Sequence, residues 1–199
     1  MANRNEPIYL ERFLKEFPMS TWLASLDKGR ILNIGSAEYG HGLKKFYDAF
    51  LTEREVVGVD IFSGENVQVV CDMTGDCKEL QGEKFAMALC CSVLEHVERP
   101  WLMAENIEKH LMPFGLVYVS VPWAWRTHNY PNDYWRMSPA AIKSLFPHVM
   151  WKRIAWSTLN EGEFIPDGSD HDDDEPWRVL FRGRSYIAVQ QVHMIGRLQ

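Results

Sequence analysis

Apolar positions recur in two rhythms along the 199 residues. From Pro7 to Phe17, residues Ile8, Leu10, Phe13, Leu14 and Phe17 are apolar, with Glu11, Arg12, Lys15 and Glu16 between them. That spacing predicts an amphipathic helix opening near Pro7 and closing before Pro18. Ser20 to Leu26 reads as a further helical turn, ended by Asp27-Lys28-Gly29. Short apolar runs follow and predict seven strands: Arg30 to Ile34, Glu55 to Val59, Val67 to Cys71, Phe85 to Cys90, Leu116 to Val121, Val149 to Trp156 and Arg184 to Gln190. Phe85 to Cys90 is unbroken, the pattern of a strand covered on both faces.

Helical segments separate most of these strands: Gly40 to Leu51, Arg99 to His110, and a third from Ser138 to Phe146. The third has Ser138 as N-cap and Pro139 at the first helical position. Residues 61–66 are too few for a crossover helix, so that connection is a turn. Pro113-Phe114-Gly115 turns the chain into the fifth strand. The alternation predicts an α/β fold, a three-layer sandwich around a Rossmann-like, mostly parallel, seven-stranded sheet. A hairpin of the last two strands supplies an antiparallel edge. The length suits one domain over residues 1–199.

Composition narrows the partners. A net charge of -6 argues against a phosphate-backbone partner, so no nucleic acid is expected. No run of 18 apolar residues exists, so no membrane span is expected. The first residues carry no apolar secretory stretch. None of Cys71, Cys77, Cys90 and Cys91 forms a CxxC pair, and all four read as reduced thiols of a cytoplasmic protein. Residues 161–175 hold eight acids and no Lys or Arg. Within them Asp170-His171-Asp172-Asp173-Asp174-Glu175 lacks the spacing and glycine of a calcium loop and reads as a solvated or disordered loop, so no metal is expected.

The chemistry gathers at strand ends. Ile31-Leu32-Asn33-Ile34 runs into Gly35-Ser36-Ala37-Glu38-Tyr39-Gly40, where a glycine lets the backbone approach a small ligand. The second strand ends in Asp60, 25 positions beyond Gly35 and close to the roughly 20 expected of an acid that reaches a ribose diol. A carboxylate there can accept from two hydroxyls.

This order of features resembles a class I S-adenosylmethionine-dependent methyltransferase over about Arg30 to Phe146. It is most similar to the group with a Val-Leu-Glu-His signature after strand four, here within Cys90-Cys91-Ser92-Val93-Leu94-Glu95-His96-Val97. The resemblance implies S-adenosylmethionine as cofactor. Gly35 and Ser36 resemble the methionine-binding loop. Asp60 resembles the acid on the ribose hydroxyls, with Ile61 packed on the adenine face. Asp72 and Met73 resemble the pair beside the adenine. Cys91 resembles the position whose backbone meets the methionine amino group. His96 either packs to shape its loop or lines the pocket near the sulfonium. Leu111-Met112-Pro113-Phe114-Gly115 resembles the lead into strand five. The sequence departs from the pattern at Asn33, Ala37, Tyr39 and Ala86.

The segment from Val121 to Arg136 is similar to that of methyltransferases associated with sugar or polysaccharide pathways. It places His128 and Asp133 as candidate catalytic residues, since an imidazole takes a proton near neutral pH and a carboxylate can orient it. Trp123, Tyr130 and Tyr134 read as a stacking lid for a small-molecule acceptor or as core filler. Arg136 pairs either with an acidic substrate or with Asp133. The expected activity is methyl transfer to an oxygen or nitrogen nucleophile; the alternative is a binding protein on a decayed methyltransferase fold. A nicotinamide enzyme would need Gly-x-Gly-x-x-Gly after strand one, and a base-amine methyltransferase would need Asn/Asp-Pro-Pro-Tyr/Phe where Ser92-Val93-Leu94-Glu95 stands.

Overall fold

The computed structural model describes residues 5–16, 29–37, 54–129, 131–158, 164–166, 178–181, 184–187 and 191–199. The predicted helix over 40–51, the turn at 20–26, residues 161–163 and 167–175 of the acidic stretch and Tyr130 lie outside the described residues, while residues 164–166 of that stretch form a strand instead of loop.

Three helices are described: α1 (Asn5–Glu16), α2 (Pro100–His110) and α3 (Pro139–Leu145). Ser138 caps α3 as its sequence predicts, its side chain accepting from the Ala141 amide at 3.2 Å. The strands are β1 (Ile31–Ile34), β2 (Val56–Asp60), β3 (Val69–Val70), β4 (Phe85–Cys91), β5 (Leu111–Pro122), β6 (Val149–Ser157), β7 (Phe164–Pro166), β8 (Arg178–Phe181), β9 (Arg184–Ile187) and β10 (Gln191–Leu198). Eight of them form one sheet in the order β3-β2-β1-β4-β5-β10-β6-β7. The first five pair in parallel; β10 runs antiparallel to both β5 and β6, and β7 antiparallel to β6 at the edge. This is the expected mostly parallel sheet of seven strands, with the short β7 added outside them.

Burial explains the layering. Every residue of β1 and β4 is buried. One face of the sheet carries Leu32, Val57, Val59, Cys90, Val117, Val119, Val192 and Met194 under Met103, Ile107 and Ile142 of α2 and α3. The other carries Ile31, Met87, Leu89, Tyr118 and Ile195 under Tyr9, Leu10, Phe13 and Leu14 of α1. Helices on both faces complete the three layers. No helix among the described residues is long and apolar enough to cross a membrane.

Three expectations change. The reversed strand is β10, whereas among the described residues 184–187 pairs with 178–181 in a separate hairpin. His193, Gly196 and Arg197 break the apolar run of β10, which hid it; both faces of that strand are nonetheless buried through Ile195. Second, Pro113-Phe114-Gly115 is an irregularity inside β5, not a turn before it. The register jumps from Phe85↔Leu111 to Met87↔Leu116, with Phe114 at φ 63°.

Third, Cys71 and Cys77 are joined as a disulfide, so only Cys90 and Cys91 are free thiols. Asp72 folds the intervening loop by accepting from the Thr74 amide and hydroxyl at 2.8 and 2.7 Å, and the two Cα atoms come to 5.7 Å. Closing so short a loop stabilises the fold by about 2 kcal/mol. Urea denaturation with and without dithiothreitol should differ by that amount, and Cys71→Ser/Cys77→Ser should show no such difference. An unaltered wild-type midpoint would mean that the two sulfurs are thiols in solution.

Candidate active site

The carboxyl ends of β1, β2, β3, β4 and β5 converge on one rim of the sheet. At the tip of β1, Gly35 takes φ 72°, and its amide donates to Val59 O at 2.8 Å. A Cβ there would lie 2.3 Å from Val93 Cγ2, so the turn needs glycine on both conformational and spatial grounds. Ser36 is buried against Gly58, with no hydrogen-bond partner for its hydroxyl among the described residues. Asp60, at the tip of β2, accepts from the Ala37 amide through Oδ2 and from the Phe62 amide through Oδ1, both at 3.0 Å. Two adjacent strand tips are thereby tied together by one carboxylate. Beside it Ile61 and Phe62 are exposed, 46% and 51% accessible.

After β3, Asp72 is exposed at its turn, while Met73 is buried in the core. Asn106 of α2 fixes this loop by donating to Met73 O and Gly75 O at 2.9 and 2.8 Å.

After β4 the chain makes a strained step at Ser92, φ 53°, and a single 3₁₀ turn, Leu94–His96. Ser92 Oγ donates to Glu6 Oε1 at 2.6 Å, as does Ser120 Oγ from β5, and Glu6 is fully buried. Helix α1 thus delivers a carboxylate beneath the tips of β4 and β5. Cys91 is buried beside Ser120, and burial, then Glu6, holds its thiol well above the usual range. Burial likewise keeps Cys90 protonated, so neither sulfur is a nucleophile at neutral pH.

Glu95 is 1% accessible, and neither of its carboxylate oxygens has a hydrogen-bond partner among the described residues. Burial raises its carboxyl to about 8. His96 stands beside it, Nε2 3.8 Å from Glu95 Oε1. The other ring nitrogen, Nδ1, meets the Asn132 carbonyl, and burial lowers the affinity of this imidazole for a proton.

The loop after β5 closes over this turn. Tyr134 and Trp135 amides donate to Glu95 O, and Trp135 Nε1 donates to Val97 O at 2.8 Å. The His128 ring meets that of His96 edge to face, centroids 4.8 Å apart. The His128 amide donates to Asp133 Oδ2 at 2.8 Å, and its Nδ1 lies 3.5 Å from the same oxygen and 3.3 Å from Arg126 O. Asp133 is held by both terminal nitrogens of Arg136, at 2.5 and 2.8 Å, which drives its carboxyl well below the usual range. The remaining donors of Arg136 go to Trp125 O, Trp135 O and Arg126 O.

The sequence matches no protein-family model and no curated protein. Among solved structures the chain is similar to the Burkholderia thailandensis 1,6-didemethyltoxoflavin-N1-methyltransferase, bound to 1,6-didemethyltoxoflavin and S-adenosylhomocysteine. The identity is 17% over 90% of this chain and 76% of that one, with TM-score 0.54. An Archaeoglobus fulgidus SAM-dependent methyltransferase matches at 14% identity over 95% and 99% of the two chains, TM-score 0.56. The Bradyrhizobium japonicum N-methyltransferase NodS, in complex with S-adenosylhomocysteine, matches at 12% over 98% of each, TM-score 0.54. The fold is that of S-adenosylmethionine-dependent methyltransferases.

On this methyltransferase fold Gly35, Asp60 and Ile61 share the rim between β1 and β2, and Asp72 follows at the end of β3. Cys91, His96, His128 and Asp133 gather at the ends of β4 and β5. Trp123, Trp125 and Tyr134 are exposed there, 37%, 39% and 44% accessible, Trp123 also packing edge-on against Trp156. Of the two partners left open for Arg136, an acidic substrate or Asp133, the structure shows Asp133. All five guanidinium N–H groups are engaged inside the loop, which leaves none for an acidic ligand.

Glu6 is the residue of this methyltransferase fold that the sequence did not disclose. It lies three, four and seven positions before Tyr9, Leu10 and Phe13, on the apolar stripe of α1. An acid on that stripe was the available signal.

Proposed function

We propose that this chain transfers a methyl group from S-adenosylmethionine to an oxygen or nitrogen of a small acceptor. The observation that carries the reading is the joining of Gly35 and Asp60 at neighbouring strand tips through the 3.0 Å bond from the Ala37 amide to Asp60. Glycine exposes main chain to the methionine end of the cofactor. Asp60 still has lone pairs for two ribose hydroxyls after accepting from Ala37 and Phe62. Exposed Ile61 offers an apolar face to the adenine, and Asp72 stands at the next strand end.

The acceptor then enters against the loop over 123–136, where Trp123 and Tyr134 offer flat apolar area to a sugar or ring. The nucleophile displaces the methyl carbon from the sulfonium. The carbon–oxygen or carbon–nitrogen bond forms, the carbon–sulfur pair stays on sulfur, and the product is the neutral thioether. His128, set by Asp133, takes the acceptor's proton. The cofactor supplies the reactive group, and the protein aligns it and excludes water.

Calorimetric titration with S-adenosylhomocysteine is the test. One site with a Kd in the micromolar range is expected. No heat and no thermal shift at millimolar ligand would end the proposal. Binding with no turnover on a panel of hydroxyl and amine acceptors would favour the decayed, non-catalytic alternative.

A further inference from the structure

The turn after β4 and the loop after β5 bring three metal-binding side chains together. Ligand atoms of Glu95, His96 and His128 all lie within 4.8 Å of one another. Tetrahedral bonds of about 2.0–2.2 Å would set them roughly 3.3 Å apart, a closure of an ångström or so.

Three features fit a cation. The Glu95 carboxylate is buried with both oxygens lacking a hydrogen-bond partner among the described residues, and a buried carboxylate is costly without a positive partner. His96 Nδ1 faces the Asn132 carbonyl, which can only accept, so Nδ1 carries the proton and Nε2 offers a lone pair toward Glu95. His128 Nδ1 faces the Arg126 carbonyl and Asp133 in the same way. An imidazole oriented by a carbonyl or carboxylate on its far nitrogen is the usual outer support of a metal ligand.

We propose that Glu95, His96 and His128 form a divalent transition-metal site beside the methyl-transfer position. Two imidazoles and one carboxylate are the donor set of zinc sites that keep an open position. The open position lies in the loop that receives the acceptor. A five-coordinate ion there would take two acceptor oxygens, which selects a vicinal diol or an α-hydroxy carbonyl. Coordination acidifies the hydroxyl, its proton leaves to solvent, and His128 serves as ligand in place of base.

This inference rests on the methyl-transfer reading for its role but not for its test. The full chain is stripped with a chelator and titrated with Co²⁺. Expected are one ion per chain by elemental analysis, visible d–d bands, and two exchangeable, paramagnetically shifted imidazole N–H resonances from His96 and His128. Glu95→Gln and His128→Asn should each weaken uptake more than about 100-fold, beyond the 10–100-fold of an outer-shell loss. Absence of the two shifted resonances in the wild type overturns the site whether or not the variants fold. So does uptake that survives both substitutions and is lost when Asp172, Asp173 and Asp174 become alanine. S-adenosylhomocysteine binding by the stripped protein is measured in parallel, so a failed metal site and a failed cofactor site give different results.

Discussion

Asp60→Ala should lower the affinity for S-adenosylhomocysteine by about 100-fold. Hydrogen bonds to an ionised group contribute roughly 1.5–3 kcal/mol each, and the ribose diol would lose two of them, partly replaced by water. The substitution also removes the acceptor for the Ala37 and Phe62 amides, so some loss could come through the loop instead. The two causes separate in a cycle with a cofactor analogue that lacks the ribose 2′-hydroxyl. If Asp60 holds the diol, the analogue binds wild type and variant with a much smaller difference than the full ligand does. If Asp60 only braces the loop, both ligands weaken equally. Equal affinity of wild type and Asp60→Ala for the full ligand would remove the ribose role altogether.

Asp60 was legible because it closes a short apolar run, and so were Gly35 and Asp72, each at the end of such a run. Strand ends in a parallel sheet are fixed by local patterning, and the placement of these three residues on one rim follows from them. What stayed hidden depends on contacts far apart in sequence. Glu6 meets Ser120 across 114 positions and Ser92 across 86. Arg136 was left open between substrate and Asp133, because nothing local shows that Trp125 and Arg126 turn their carbonyls toward it. The disulfide escaped for a related reason. Its spacing is unremarkable until the Asp72 turn doubles the loop back. Tyr134, Trp123 and Trp135 are all exposed on the rim, and Trp135 is in addition tied to Val97 through its indole nitrogen.

His193 makes the fold sensitive to acid, and its replacement should remove much of that sensitivity. The ring is fully buried between the sheet and α1, stacked 4.1 Å from Tyr9. Tyr118 OH donates to Glu6 O, so it accepts from His193 Nδ1 at 2.9 Å, and Nε2 in turn accepts from Ser157 Oγ at 2.9 Å. This network satisfies the neutral imidazole, and burial lowers its pKa to about 3. In the unfolded chain the same side chain titrates near 6.5. Above about pH 6.5 both states are neutral and the contribution is fully present. Below that the unfolded chain binds a proton that the folded one refuses, and stability falls by about 1.4 kcal/mol per pH unit until the folded pKa is reached. The whole effect is on the order of 4–5 kcal/mol, a large share of a typical domain's 5–15 kcal/mol. His193→Gln keeps an acceptor for Ser157 and cannot charge. It should be the less stable protein at pH 7.5, yet the gap to wild type in urea midpoint stability should shrink by about 2 kcal/mol at pH 5. Taking the difference between the two proteins cancels the titration of Glu95, Asp133 and every other shared group. A gap that stays constant from pH 7.5 to 5 would show that His193 takes up its proton inside the folded protein, and that the Tyr118–His193–Ser157 network tolerates a charged ring.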